Sequence, residues 1–313
     1  RRGYVVIAVD MHGHGDSEST DANGLYTSAV GLDAAVELAG TLPYIDKTRI
    51  GVTGHSSGGA ACDMAVGIDN ERETPLISAV FYEASTWTDD TGVDHSADLD
   101  GRYVGLIADK YDEFFFWTSD ENGNEIVPRD FATSPDAKNF VNFNNGSEGM
   151  EDVVPGKYYE QDGLFRVIYQ PDCTHPWVHF SSTCVGYGIK FFEDAFGAPN
   201  PIAENNQVWQ WKTAFNFLGL IGIVIFVVAF MSLMLDTKYF GVLKADKEVL
   251  ALQAKTGKDK LWFWIPLVLC AIFSGLSYYW TIVNVYSKTT TFFVQTGPLT
   301  TGVWCALCAA FCI

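Results

Sequence analysis

The sequence predicts an α/β fold, a doubly wound and mostly parallel sheet, followed by transmembrane α-helices. Three observations carry that expectation. Unbroken apolar runs of strand length, at 4–10, 50–53, 76–83, 103–108 and 165–169, alternate with segments of helical period. That pattern belongs to parallel strands buried on both faces. One run, 50–53, leads into Gly54-His55-Ser56-Ser57-Gly58, and small residues with helical potential follow at once. Finally, residues 213–235 carry no charge, and at ~1.5 Å per residue such a helix crosses a ~30 Å hydrocarbon core with slack for tilt.

In chain order, 4–10 (Tyr-Val-Val-Ile-Ala-Val-Asp) is expected to be a strand, running into the Gly-rich turn Met11-His12-Gly13-His14-Gly15-Asp16-Ser17. His12 and His14 are metal-ligand types, but no acid or Cys partner sits at ligand spacing, so a tight loop is the expected reading. Residues 27–42 read as an amphipathic helix, with Val30, Ala34, Ala35, Leu38 and Leu42 recurring near helical period. A linker at 43–47 leads to the strand at 50–53, and strand–helix–strand–helix order implies right-handed parallel crossovers. After the strand at 76–83 comes an acidic excursion, 86–100, and then the strand at 103–108. Residues 118–163 are polar around a short helix near 137–143, as an inserted loop or cap segment over the sheet's edge would be. The strand 165–169 and a helix at 184–196 close a domain expected to span 1–200, with a linker at 201–212.

The pattern Gly54-x-Ser56-x-Gly58 has a physical reading. A nucleophilic serine at the tip of a sharp strand-to-helix turn sits in strained backbone, so the positions two before and two after it must be nearly free of side chain. Ser57 is the rival nucleophile, but the residue two before it is His55, which suits the turn badly. The Ser57 N–H, at the helix start, is the expected oxyanion donor. For a base, His175 follows the strand 165–169 through a short loop, and His179 lies a helical turn further on, where packing or capping is expected. The His175/His179 pair lacks the intervening Glu of a zinc motif, and Pro176 disfavours a regular helix, so neither metal nor cofactor is expected. For the orienting acid, Asp112 in Asp109-Lys110-Tyr111-Asp112-Glu113-Phe114 is favoured, with Asp109 as runner-up. Phe114-Phe115-Phe116-Trp117 follows, four aromatics of a kind that more often builds a core, though beside the acid they also suit an acyl pocket or a lipid contact.

Together, the run Asp10 to Ser17, the Gly-His-Ser-Ser-Gly-Gly turn at 54–59, an acid after a later strand and a histidine after the last one resemble the α/β-hydrolase superfamily. The similarity is greatest to its dienelactone-hydrolase and acyl-peptidase-like serine hydrolases, and it covers about residues 3–197. It implies the chain order Ser56, Asp112, His175 for a catalytic triad. Family members carry about three strands ahead of the one at 4–10, and a Gly-rich loop after the third supplies the second oxyanion N–H. The resemblance therefore implies a longer protein, of which this chain lacks the first strands. The chain's start just before an apolar run and its stop within one lead to the same expectation.

Charge is unevenly spread. Up to Lys212 there are 34 acidic residues against 13 basic ones; from Thr213 onward there are 4 against 7. A surface so acidic has nothing to displace phosphate counterions, which excludes nucleic acid as partner. Among seven Cys, none forms a zinc framework. Cys305, Cys308 and Cys312 sit at helical spacing in apolar sequence, where packing is expected; Cys173 and Cys184 are expected as free, small apolar side chains, with pairing open only in an oxidising compartment. Three membrane spans are expected within 213–313, at 213–235, 261–285 and from 298, the last cut off at 313. Trp209 and Trp211 flank the first and Trp262 and Trp264 open the second; Pro266 is tolerated in such a helix, and Ser274, Ser277 and Asn284 read as interhelical contacts. Between the first two, 236–260 holds Lys238, Lys244, Lys247, Lys255, Lys258 and Lys260, which marks that loop as cytoplasmic and the acidic domain as extracytoplasmic. The resulting expectation is a multi-pass membrane protein whose serine hydrolase domain cleaves an ester, thioester or amide of a small-molecule or peptide acyl substrate beside the bilayer. The competing expectation is a polytopic transporter or sensor with a non-catalytic, hydrolase-like binding domain; the presence of Ser56, Asp112 and His175 together weighs against it.

Overall fold

A computed structural model of the chain describes all residues except 19, 21–23, 25–26, 89–92, 245–253, 287, 289, 291, 294 and 313. It divides into two units, one of residues 1–206 with 290–295, the other of 207–289 with 296–313.

The first unit is α/β, built on a five-stranded mixed sheet in the order β1-β2-β3-β7-β6. Strands β1 (Ile50–His55), β2 (Ile77–Glu83), β3 (Tyr103–Ile107) and β7 (Leu164–Tyr169) run parallel. The antiparallel edge strand β6 (Tyr159–Gln161) pairs with β7. A short separate hairpin joins β4 (Thr118–Ser119) to β5 (Glu125–Ile126). Side chains alternate across the central strands. Val80, Tyr82, Val104, Leu106 and Ile168 join one core with Val36 of α1 (Leu32–Thr41) and Cys62, Ala65 and Val66 of α2 (Ser57–Asn70). Ala79, Phe81, Ile107, Val167 and Tyr169 join the other with Cys184, Phe191 and Phe196 of α4 (Ser182–Phe196). Helices thus cover both sheet faces, as continuous apolar strands require.

Buried Asp69 pins the end of α2 to the sheet by accepting the N–H groups of Leu76 and Ile77 and the guanidinium groups of Arg72 and Arg102. Burial alone would raise its pKa, but those four donors hold it below the usual carboxylate value.

Several sequence expectations change. Residues 4–10 form no strand, and Val5, Val6 and Ile7 are exposed. A strand needs a ladder partner, and β1, the edge strand, pairs only with β2. The segment instead starts against the end of α4, where Arg2 pairs with Glu193 and Tyr4 donates to the Gly197 carbonyl. The helix expected over 27–42 is interrupted: Thr27 is helical, but the continuous run starts at Leu32, because Ala29, Val30 and Gly31 all have positive φ. Its inward face is Leu32, Val36 and Ala39, while Ala34 and Leu38 are exposed. Residues 118–163 are more than a loop over the edge. Phe131, Ala132, Val153 and the α3 (Pro135–Val141) residues Ala137, Phe140 and Val141 belong to the first core, and β6 extends the sheet. Arg166, fully buried on β7, lies over the rings of Phe140 and Phe143 and bonds the Phe140 carbonyl and Asp100.

The second unit contains α5 (Trp209–Leu235) and α6 (Gly257–Asn284), of 27 and 28 residues and mean hydropathy 2.8 and 1.8 over their most apolar stretch, both long and apolar enough to cross a membrane. The third expected span, from 298, falls in α7 (Thr296–Cys312), an apolar helix of 17 residues. It packs on α6 through stacked Phe273 and Phe311, a Trp304 indole N–H to the Ser274 carbonyl, and buried Ser277, Thr281 and Thr300. Small hydroxyl residues let two apolar helices approach closely. Helix α6 opens on a reciprocal cap between Thr256 and Asp259. The middle of the lysine-rich loop, Lys247 included, lies outside the described residues.

Candidate active site

Register brings the candidate residues to one edge. His55, Glu83, Ile107 and Tyr169 stand opposite one another across β1, β2, β3 and β7, at the carboxyl end of each strand. Ligands of open parallel sheets bind outside this edge. The loops after β3 and β7 stay paired beyond it: Ala108 donates to Tyr169, Lys110 to Pro171, and Tyr111 to Cys173, at 2.8–3.2 Å. Carried along this extended ladder, Asp112 and His175 arrive side by side.

Ser56 sits between β1 and α2 with φ 55° and ψ −119°, a positive φ that a non-glycine residue adopts under strain. Its N–H donates to the Glu83 carbonyl at 3.1 Å, anchoring the turn to β2. The two glycines of the motif are not equivalent. A Cβ on Gly54 would lie 2.1 Å from the Gly58 backbone, whereas one on Gly58 would meet nothing within 4 Å. Strand and helix touch backbone to backbone at Gly54. Gly54→Ala is therefore expected to cost roughly 3 kcal/mol or more, since rigid main chain must move, and Gly58→Ala, at an open helical position, to be neutral or to gain up to about 1 kcal/mol. Thermal melts of the two full-length variants in detergent check this; equal destabilisation would contradict the asymmetry. Ser57 opens α2, and N–H groups in a helix's first turn have no intrahelical acceptor, so its N–H points toward a partner outside the helix.

Asp112 and His175 form a buried, hydrogen-bonded pair. His175 Nδ1 is 2.9 Å from Asp112 Oδ2, and both side chains are buried. The other carboxylate oxygen of Asp112 accepts the N–H groups of Phe114 and Phe115, each at 2.7 Å. Those bonds fix the carboxylate, which in turn holds the proton of a neutral imidazole on Nδ1 and leaves Nε2 as a basic lone pair. The Phe115 ring stacks on His175 at 5.5 Å, the Phe114 edge approaches at 5.0 Å, and the His175 N–H donates to Glu113 Oε2 at 3.1 Å.

Asp109, the alternative acid, points elsewhere. It is fully buried, and neither oxygen has a hydrogen-bond partner among the described residues. Burial first, and the neighbouring Asp112 charge second, push its pKa well above the usual carboxylate range.

His175 and His179 share the 3₁₀ helix His175–Phe180, with Pro176 in its first turn. Instead of forming a ligand pair, they flank His55. The His55 ring lies 4.5 Å from that of His175 and 3.9 Å from that of His179, and His55 Nε2 is 2.9 Å from the His175 carbonyl. A carbonyl only accepts, so Nε2 carries the proton. Burial, followed by the two neighbouring imidazoles, lowers the His55 pKa to about 4, which keeps it neutral. Among the described residues no group of His, Cys, Asp and Glu is arranged to hold a metal. His12 ties its loop together instead, bonding the Glu18 carbonyl and the Ser28 hydroxyl.

The hydrogen bonds among the described residues include none between Ser56 Oγ and His175; His55, next to Ser56 in sequence and bonded to the His175 backbone, links the two. Sequence reasoning missed that linking role. Glu113 and Phe115 as partners of His175 were missed as well. Cys173 and Cys184, both buried, are free thiols 3.8 Å apart. No family model matches the chain, and no curated protein matches it either.

Proposed function

We propose that residues 1–206 are a serine hydrolase domain of the α/β-hydrolase type. The observation that carries this reading is the hydrogen-bonded pair Asp112–His175 at the same sheet edge as a strained serine. Ser56 Oγ attacks an ester, thioester or amide carbonyl while His175 Nε2 takes the hydroxyl proton. Asp112 holds the tautomer and stabilises the imidazolium, and the Ser57 N–H faces the oxyanion. His175 then returns the proton to the leaving group, forming an acyl-enzyme, and water activated by the same imidazole releases the acid. Apo active sites commonly show long nucleophile–base distances that tighten with substrate. A fluorophosphonate probe applied to the detergent-solubilised full-length chain should label it covalently; no labelling would end the proposal.

We further propose that α5 and α6 cross a bilayer, with the lysine-rich loop 236–260 on the cytoplasmic side and the hydrolase domain outside. Short-loop Lys and Arg set orientation and acidic residues contribute little, so the argument rests on the lysines and not on the negative charge of the domain. Single cysteines at Ser181 and Thr256, in an otherwise Cys-free full-length protein, report sidedness to an impermeant maleimide on intact cells. Labelling is expected at Ser181 only. Labelling at Thr256 only would put the hydrolase in the cytoplasm.

A further inference from the structure

Residues 1–206 present six exposed aromatic side chains among those described: Tyr44, Tyr111, Phe114, Trp117, Trp177 and Phe180. All but Tyr44 lie in two short stretches, 111–117 and 174–180, which also hold Asp112 and His175. Their exposure is high: 53% for Tyr111, 71% for Phe114, 53% for Trp117, 60% for Trp177 and 52% for Phe180. They are not core residues that spilled over. Phe116, within the first stretch, is buried against Phe131, so the loop already meets its packing need with another ring. The two stretches meet at the imidazole, through the Asp112–His175 bond. Tyr111 pairs by a backbone bridge with Thr174, Phe114 lies 5.0 Å from the His175 ring, and Trp177 lies 5.8 Å from Phe180. Nearby charges are occupied: Glu113 accepts the His175 N–H, and Lys110 pairs with Asp172. Apolar surface concentrated in this way on a soluble face marks a binding site, and aromatic rings bury large areas at small entropic cost.

We propose that this aromatic rim receives the aliphatic chain of the acyl group. The preferred substrates are then esters of medium- to long-chain aliphatic acids, in preference to acetyl or charged acyl donors. An alkyl chain suits an uncharged aromatic surface and adds contact with each methylene. This assignment rests on the hydrolase reading given above and names its substrate class.

The test is a series of p-nitrophenyl esters, from acetate to octanoate, with the full chain in detergent micelles. Each methylene laid on the rim is expected to raise kcat/KM roughly twofold, or on the order of 50-fold across the series. The triple variant Trp117→Gln, Trp177→Gln, Phe180→Gln touches none of the three candidate triad residues. It should cut that rise to about fivefold or less and keep acetate turnover within about twofold of the parent. Unchanged acetate turnover also shows that the variant is folded, and because both proteins are assayed in the same micelles, partitioning of substrate cancels. The single variant Trp177→Gln should show an intermediate slope. A flat profile in the parent, or the same slope in parent and variants, overturns the acyl-chain assignment and leaves the hydrolase reading standing. Failure to turn over any ester, together with no fluorophosphonate labelling, overturns both.

Discussion

Ser56→Ala is expected to abolish fluorophosphonate labelling and to lower ester turnover by roughly 10⁶-fold, the loss typical when a triad nucleophile is removed. The size follows from the chemistry. On the proposed mechanism, removing Oγ removes the acyl-enzyme and leaves binding plus the Ser57 N–H acting on a water attack. Ser57→Ala is the matched control. Its hydroxyl belongs to the first helical residue, beyond the strained position, while the N–H it contributes survives substitution. Ser57→Ala should therefore keep labelling and most turnover. The opposite result, labelling lost in Ser57→Ala and kept in Ser56→Ala, would move the nucleophile by one residue and contradict the assignment of the positive-φ position to it. Fold integrity is checked by the melting temperature, which should stay the same or rise in Ser56→Ala, since alanine is no more strained there than serine.

How much of this was legible beforehand depended on what kind of information each feature needed. The strands β1, β2, β3 and β7 were readable because each is an apolar run flanked by turn residues, and burial on both faces demands just that. The turn at Ser56 was readable because the close approach of Gly54 to Gly58 forbids a side chain, and a forbidden side chain leaves glycine in the sequence. The segment 4–10 misled for the converse reason: an apolar run records a preference for burial but not whether a neighbour exists to complete a ladder. Strand β6 went unseen because Tyr159-Glu160-Gln161 is three residues long and half-solvated at an edge, with no periodicity to detect. The face of α1 was misjudged because three successive positive φ angles, at Ala29 to Gly31, restart the helical phase. His55 served in sequence only as an argument against Ser57. Its contact with a carbonyl 120 residues away exists only once β1 and β7 stand in one sheet.

The second large effect separates the two buried acids. Asp112→Asn is expected to lower turnover by roughly 10⁴-fold while leaving the protein folded, because an amide facing Nδ1 can present its N–H there and force the imidazole proton onto Nε2, where the base must be free. Asp109→Asn should behave differently in kind. Among the described residues the Asp109 carboxyl has no hydrogen bond to lose, and it is buried beside the Asp112 charge. Its folded-state pKa is raised above the unfolded value, so the folded protein holds that proton more tightly than the unfolded chain does. The resulting stability is complete below the unfolded pKa, near 3.9, and is lost as pH rises through the raised folded value, at a slope of up to about 1.4 kcal/mol per pH unit. Asp109→Asn removes that loss. The variant should match the parent's melting temperature near pH 4 and exceed it increasingly toward pH 8, with turnover within about tenfold of the parent. Melting curves at three pH values and one turnover assay decide the matter. Loss of turnover of the same size in both variants would mean that the two carboxyls act on His175 as one unit, and a melting difference independent of pH would mean that Asp109 is not the group that titrates.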